Sequence, residues 1–194
     1  MTAFRRLGWN FALDHAAEQA QALGLPLVIL EPLRCDYRWA SARFHRFVID
    51  GMAEKAAALV GSSVVYLPYV EPTPNAGRGL LAALAERAAL MVADDAPILF
   101  LPKALAAAGE HLSVRVEAVD ANGLLPLRAA DRVHLTAYSF RRFLQRELPN
   151  HLGASPNAEP LVEFGGPRAT IRPEILKRWP MASEELLAGS AEAT

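Results

Sequence analysis

Charged and amide side chains stand where short apolar runs of this sequence end, or just ahead of a helical pattern. Glu31 and Arg34 follow one apolar run, Asp94 closes another, and Arg6 and Asn10 precede the first helical pattern. An arginine can bind an anion or a carbonyl group, whereas an asparagine in this position can also cap the helix. These five residues are therefore candidate ligand-binding residues, with helix capping and surface charge as the alternative interpretation.

The spacing of apolar residues predicts the elements that would position these side chains. Helices are predicted over 10–23, 37–60, 77–89 and 97–109, and short apolar strands over 27–30, 64–67, 90–95 and 114–120. Alternating strands and helices favour an α/β fold, a doubly wound, Rossmann-like parallel sheet. Because such sheets bind ligands at the carboxyl ends of their strands, the five candidates are expected along one edge.

The predicted alternation starts with a helix, although the first strand of a doubly wound sheet commonly lies in its middle. We therefore expect this sheet to lack its first strand. The two neighbouring strands would then border a slot in which backbone donors and acceptors have no partner. On this interpretation the natural protein extends ahead of Met1, which is an internal methionine.

Composition excludes several classes of protein. With 20 basic and 21 acidic residues the net charge is −1, so no global positive charge points to nucleic acid. A single cysteine, Cys35, excludes an intramolecular disulfide and a cysteine-based metal cluster. The sequence shows neither a secretory signal pattern nor an apolar run of membrane-spanning length. We expect a cytoplasmic protein without a membrane partner.

Familiar catalytic and nucleotide-binding motifs are missing from the sequence. It contains no dinucleotide fingerprint, P-loop or nucleophile elbow. The glycines of "NAGRGLL" at 75–81 either cradle a phosphate or simply begin a helix. None of the five histidines has a second histidine at metal-ligand spacing, and His45 is predicted to lie on a helix surface. The sequence therefore offers no catalytic residue and no metal ligand.

The character of the chain changes after Asp120. We divide it into an α/β domain over 1–127 and a helical and irregular linker over 128–194. Arginines are frequent over 128–146, and they either contact phosphates or form the solvated or interdomain face of a helix. Phe140 and Phe143 fall on the apolar side of that helix and are predicted to make core contacts rather than to stack on bases.

Six segments, taken in order and spacing, resemble the amino-terminal domain of photolyases and cryptochromes, and two of them resemble class II photolyases of cyclobutane pyrimidine dimers in particular. They are "RRLGWNFAL" (5–13), "GLPLVILEPL" (24–33), "FHRFVIDGM" (44–52), "MVADDAP" (91–97), "VEAVDANGLLPL" (116–127) and "AYSFRRFLQRELPNHL" (137–152). The resemblance extends over about residues 4–180, and the chain is identified by it as the amino-terminal domain of a class II-like deoxyribodipyrimidine photolyase.

The resemblance implies DNA repair driven by light, in which a reduced flavin donates an electron to the pyrimidine dimer. FAD and damaged DNA would bind a helical domain, joined in cis or supplied as a separate chain, rather than the α/β domain. The α/β domain would hold an antenna chromophore, a deazaflavin, a folate or FMN, near Arg6, Asn10, Glu31, Arg34 and Asp94. We therefore expect the chain to be inactive in repair by itself.

Two other classes of protein are compatible with the sequence. A stand-alone nucleotide-binding or stress-type protein has the same broad architecture but needs a phosphate-cradling loop, for which "DANGLLPL" at 120–127 offers few backbone donors. A non-catalytic remnant or interaction module is the third possibility, since the first strand is missing.

Overall fold

Parallel strands and helices alternate through the first two thirds of the chain, as the sequence predicts. The structure is a computed structural model and describes residues 1–189. The strands are β1 (Val28–Leu33), β2 (Val65–Val70), β3 (Leu90–Asp94) and β4 (Arg115–Val119). The helices are α1 (Phe11–Ala22), α2 (Ala42–Ala58), α3 (Leu80–Ala85), α4 (Leu101–His111), α5 (Ala137–Glu147), α6 (Pro173–Arg178) and α7 (Glu184–Leu187).

The strands form two parallel pairs. β1 pairs with β2 from Val28 opposite Val65 to Leu33 opposite Val70, and β3 pairs with β4 from Leu90 opposite Arg115. Within residues 1–189, β1 and β3 do not pair with each other. The architecture is thus α/β with short parallel pairs, which is compatible with a Rossmann-like fold.

The predicted ends of α1 are confirmed. The Asn10 side chain accepts the backbone N–H of Ala12 at 3.1 Å and that of Leu13 at 3.4 Å, which satisfies two donors that the first turn leaves unpaired. At the other end Gly24 takes a φ of 63°, a left-handed conformation that glycine adopts without strain.

Helix α2 falls within the predicted range 37–60 but is shorter at both ends. Its buried side chains are His45, Ile49, Met52 and Lys55, whereas Phe47 is 79% exposed. The prediction that His45 lies on the helix surface is therefore wrong. The imidazole is buried with its ring centroid 5.6 Å from that of Tyr37. Partners from other elements thus decide which stripe of α2 faces inward.

Helix α4 starts later than predicted. Pro97 is not its first residue, because Leu99 has a φ of 53° and interrupts a helical path there. The helix begins at Leu101, and Pro102 occupies an early position where its missing N–H is not needed.

The end of the chain packs on the α/β layer although its composition is typical of a linker. Ile175 and Trp179 are buried together with Tyr69 and Leu80, and the Trp179 indole N–H donates to the Ala76 carbonyl at 3.0 Å. Short helix α7 lies against α2. The boundary at residue 127 stays a prediction, and of the last fourteen residues, predicted to be frayed, 190–194 lie outside the described part.

Candidate functional site

A cavity of about 860 Å³ lies between the two strand pairs. Residues of β1 form one wall and residues of β3 form the other, while Leu13 of α1 and Leu80 and Leu84 of α3 also line it. This volume falls within the range of ligand pockets, roughly 300–1,000 Å³. The cavity is therefore the candidate ligand site of the α/β layer.

Asp94 sits at the carboxyl end of β3 and holds the amino-terminal segment. Its carboxylate accepts the backbone N–H groups of Thr2 at 2.9 Å and of Ala3 at 2.8 Å, and the Asp94 residue is only 7% exposed. The Met1 ammonium donates to the Leu30 carbonyl of β1 at 2.9 Å. Residues 1–3 therefore bridge β1 and β3, and burial lowers the pKa of the Met1 ammonium.

Glu31, in the middle of β1, is fully buried within a charged cluster. The Arg5 guanidinium lies 3.0 Å from one carboxylate oxygen, and the Tyr66 hydroxyl donates to the other at 2.6 Å. The Lys55 ammonium lies 3.4 Å from that second oxygen. Burial and the hydrogen bond to Glu31 raise the pKa of Tyr66 above its usual range. Protein groups thus surround this carboxylate, which does not line the cavity.

Another buried carboxylate, Glu71, follows β2 and lines the cavity. It accepts the backbone N–H of Gly77 at 3.1 Å and that of Cys35 at 3.3 Å, which joins the loops after β1 and β2. Burial, together with the nearby Glu71, raises the pKa values of the Cys35 thiol and of the Tyr69 hydroxyl. Glu71 is not among the predicted site residues, although it follows a strand as they do.

The structure brings three of the five predicted site residues to the cavity lining, namely Asn10, Arg34 and Asp94. Arg34 pairs with Asp36 at 2.6 Å and lies 5.8 Å from the Phe100 ring centroid. Arg6 lies elsewhere, and its Nε–H donates to the Trp9 carbonyl at 2.9 Å.

The Asn10 amide donates to the Phe4 and Arg6 carbonyls at 3.1 Å, in addition to capping α1. Asn10 and Asp94 thus hold the amino-terminal segment. Arg34 and Arg78 also line the cavity, and a guanidinium group can bind an anionic or carbonyl group of a ligand.

A smaller cavity of about 720 Å³ opens between α1 and the end of β4. The imidazole of His15 lies 2.6 Å from the Glu117 carboxylate, and this hydrogen bond lowers the pKa of Glu117. Although burial acts to raise it, hydrogen bonds from Asn122 and Leu127 lower the pKa of Asp120. Within residues 1–189, no group of three or more histidine, cysteine or acidic side chains could hold a metal ion.

Helix α5 carries Arg141, Arg142 and Arg146, three of the five arginines between residues 128 and 146. Phe143 is buried as predicted, whereas Phe140 is 44% exposed. The guanidinium groups of Arg141 and Arg142 lie 6.0 and 5.8 Å from the Tyr138 ring centroid. This exposed face is basic and aromatic, and both interpretations, phosphate contact and an interdomain face, stay open. In the part of the chain that the structure describes, no helix is long and apolar enough to cross a bilayer.

Comparison with known proteins shows a sequence similarity to a photolyase. The chain is 27% identical over 149 residues to a deoxyribodipyrimidine photo-lyase of Methanothermobacter thermautotrophicus. The match covers 76% of this chain but only 33% of the relative. No family model matches the sequence. The identity supports a relationship to photolyases and to DNA repair, and the chain spans about a third of the relative's length.

Proposed function

We propose that this chain is the amino-terminal α/β domain of a class II-like photolyase, a light-driven enzyme that splits cyclobutane pyrimidine dimers in DNA. The observation that carries the proposal is the 27% identity over 149 residues, 76% of this chain, to a deoxyribodipyrimidine photo-lyase. In the proposal the domain supports the fold of a helical domain that holds FAD and contacts damaged DNA.

The assignment is supported by the structural roles of residues in the segments that resemble photolyases. Asn10 caps α1, and Asp94 at the end of "MVAD" holds the backbone of Thr2 and Ala3. Glu31 of "VILEP" is the centre of the buried charged cluster. These side chains stabilise the α/β layer, as expected of a domain whose task is support.

Flavin chemistry belongs to the proposed helical domain. A reduced flavin supplies the electron that opens the dimer, and no residue of this chain is assigned to it. For an antenna chromophore the predicted residues fit poorly as a set. Asn10, Glu31 and Asp94 use their polar atoms on protein groups. Arg34, which lines the cavity, is the predicted residue best placed for such a ligand, and the absorption spectrum of the purified chain tests the proposal of an antenna.

A chimera tests the proposed function. The part of the Methanothermobacter thermautotrophicus photo-lyase that matches this chain is replaced by it, and dimer repair is measured with and without light. We expect light-dependent repair by the chimera and none by the isolated chain supplied with flavin. A chimera that folds and binds flavin but repairs nothing would contradict the proposal, as would repair by the isolated chain.

Two controls sharpen this experiment. An otherwise identical chimera with an unrelated α/β domain should repair poorly, which shows that the match is specific. Calorimetry of the isolated chain with ATP and AMP addresses the nucleotide-binding alternative. Tight binding of either nucleotide would favour that alternative over the photolyase assignment.

A further inference from the structure

One side of helix α5 consists of tyrosine, glutamine and arginine side chains. Its members are spaced three or four residues apart and therefore share one face of the helix; they are Tyr138, Arg141, Arg142, Gln145 and Arg146. All five are exposed, and Tyr138 is 62% exposed. We call these five residues the α5 face. The α5 face carries three positive charges and no carboxylate, although the whole chain has a net charge of −1.

The opposite side of α5 packs against the protein. Phe143 is buried, and its ring centroid lies 4.8 Å from that of His134. At the start of the helix, the Thr136 hydroxyl accepts the Ser139 N–H at 3.2 Å. A helix that binds a membrane surface inserts its apolar side into the lipid, and in α5 that side is already covered. The α5 face is thus the side of the helix that is open to a partner.

The guanidinium groups of the α5 face are available to an anion. Within residues 1–189, neither Arg141 nor Arg142 forms an ion pair, and both lie against the Tyr138 ring, 6.0 and 5.8 Å from its centroid. Stacking on this ring restricts both side chains, so less conformational entropy is lost when they bind. Arg146 pairs with the neighbouring Glu147 at 2.7 Å, and such a pair at the surface contributes little free energy.

The spacing of the arginines matches a line of phosphates. Arg141 and Arg146 are separated by about 7.5 Å along the helix axis. One strand of duplex DNA carries a phosphate about every 3.4 Å along its axis, so the α5 face spans about two phosphates. Arginine binds phosphate oxygens through two N–H groups, and tyrosine and glutamine side chains also donate to the DNA backbone. A protein interface, by contrast, has an apolar core inside a polar rim, and the α5 face has no aliphatic side chain.

We propose that the α5 face binds the phosphate backbone of duplex DNA without reading its sequence. Arg141, Arg142 and Arg146 pair with phosphates along one strand. Tyr138 and Gln145 donate hydrogen bonds to neighbouring backbone oxygens. Because such binding releases counterions from the DNA, its affinity falls steeply with salt. This site goes beyond the proposed function, which gives the contact with damaged DNA to the helical domain, and either proposal can fail while the other holds.

Fluorescence anisotropy of the full chain with an undamaged duplex of about 20 base pairs tests this proposal, without flavin or light. We expect a Kd of about 1–100 μM at about 50 mM salt. The variant Arg141→Gln/Arg142→Gln should bind at least about tenfold more weakly. Its slope of log affinity against log salt should be smaller by about two, because two phosphate contacts are lost. Absent binding by the chain, or equal salt slopes of chain and variant, would overturn the proposal.

Two matched variants separate a local site from an effect of net charge. Arg38→Gln/Arg43→Gln removes the same charge from two other exposed arginines and should change the affinity by less than about twofold. Arg141→Lys/Arg142→Lys keeps the charge on α5 and should keep most of the salt slope. Urea unfolding should give equal midpoints for all variants, since these side chains are exposed. An equal loss of affinity in the Arg38 and Arg43 control would contradict a site on α5.

Two other outcomes would assign the α5 face to a different partner. Phosphatidylserine vesicles that bind the chain as tightly as the duplex, and that lose binding in Arg141→Gln/Arg142→Gln, would indicate a membrane surface and contradict the proposal. The same substitutions can be made in the chimera with the photo-lyase. A lower urea midpoint of that chimera, with the DNA affinity of the chain unchanged, would indicate an interdomain contact and would also contradict the proposal.

Discussion

The Asp94 carboxylate accepts the backbone N–H of Ala3 at 2.8 Å, which ties the end of β3 to a segment 91 residues earlier in the chain. Because Asp94 is 7% exposed, these hydrogen bonds form largely out of water. The same carboxylate accepts the Thr2 N–H, so one side chain positions the start of the chain over the cavity.

Replacing this carboxylate should release the amino-terminal segment. Asp94→Ala leaves the Thr2 and Ala3 donors without their acceptor, and we expect a loss of about 2 kcal/mol of unfolding free energy. Urea unfolding measures the loss, and faster tryptic cleavage after Arg5 or Arg6 reports the release. Asp95→Ala is the matched control, since the partner of Asp95 is the exposed Arg128. Equal losses in the two variants would show that Asp94 does not anchor the segment.

Removing the negative charge of Glu31 should lower the free energy of unfolding strongly, because this carboxylate is the centre of a buried charged cluster. Glu31→Gln leaves Arg5 and Lys55 facing a neutral amide, and we expect a loss of about 3 kcal/mol because a buried pair is broken on one side. Urea unfolding is the measurement. Glu86→Gln, which removes the charge of a 59% exposed side chain paired with Arg172, should cost less than about 1 kcal/mol. A Glu31→Gln loss as small as that would contradict the described cluster.

The buried Met1 ammonium should make the unfolding free energy of a chain that begins at Met1 depend on pH. Its pKa is lowered in the folded state, mainly by burial, from an ordinary value of about 8. The unfolded state then binds more protons, so this group makes the unfolding free energy rise with pH until about pH 8. Below the lowered pKa, the ammonium destabilises the folded state by its full amount. Acetylating the amino group should flatten this dependence. Identical pH profiles for the acetylated and free chains would show that the ammonium is not buried in solution.

The close approach of Trp179 to Gly79 allows a test of whether the carboxyl-terminal segment packs on α3. Gly79 has a φ of 90°, and a Cβ added there would lie 3.3 Å from the Trp179 Cζ2 atom. Gly79→Ala should therefore lower the unfolding free energy by about 1–2 kcal/mol because of the left-handed conformation. The close contact of the new Cβ with Trp179 should lower it further. Gly61→Ala, with a φ of 77° and open space around it, should show the conformational cost alone.

Fluorescence gives this test a second readout. Trp179 is 5% exposed, whereas Trp9 and Trp39 are 58% and 55% exposed. A red shift of the emission in Gly79→Ala, without one in Gly61→Ala, is expected because the buried indole is displaced. Equal behaviour of the two variants would mean that Trp179 does not pack against residue 79.

Local rules explain what the sequence could predict of the elements. Asn10 as a cap and Gly24 as a stop are decided by backbone groups within one helical turn, and the structure has both. Lys55 shows where such rules end. Its ammonium is buried because Gly51, Arg5 and Glu31 supply oxygen atoms around it, and only one of these residues belongs to α2.

Of the five predicted site residues, Asn10, Arg34 and Asp94 line the cavity, and their role toward a ligand stays a prediction. Which N–H group donates a hydrogen bond to each carboxylate depends on residues far apart in the chain. Asp94 is satisfied by residues 1–3, and Glu71 by the loops after β1 and β2, so neither role can be read from neighbouring residues.

The sequence by itself determined the alternation of strands and helices and the ends of α1, because periodicity and capping act over a few residues. Only the tertiary structure decided the buried stripe of α2, the packing of Trp179 on Gly79, and the groups that hold residues 1–3 between β1 and β3. The physical reason is that each of these depends on which distant groups satisfy a buried charge, an indole or a strand edge. Folding brings these partners together from distant parts of the chain, so they cannot be predicted from a local sequence pattern.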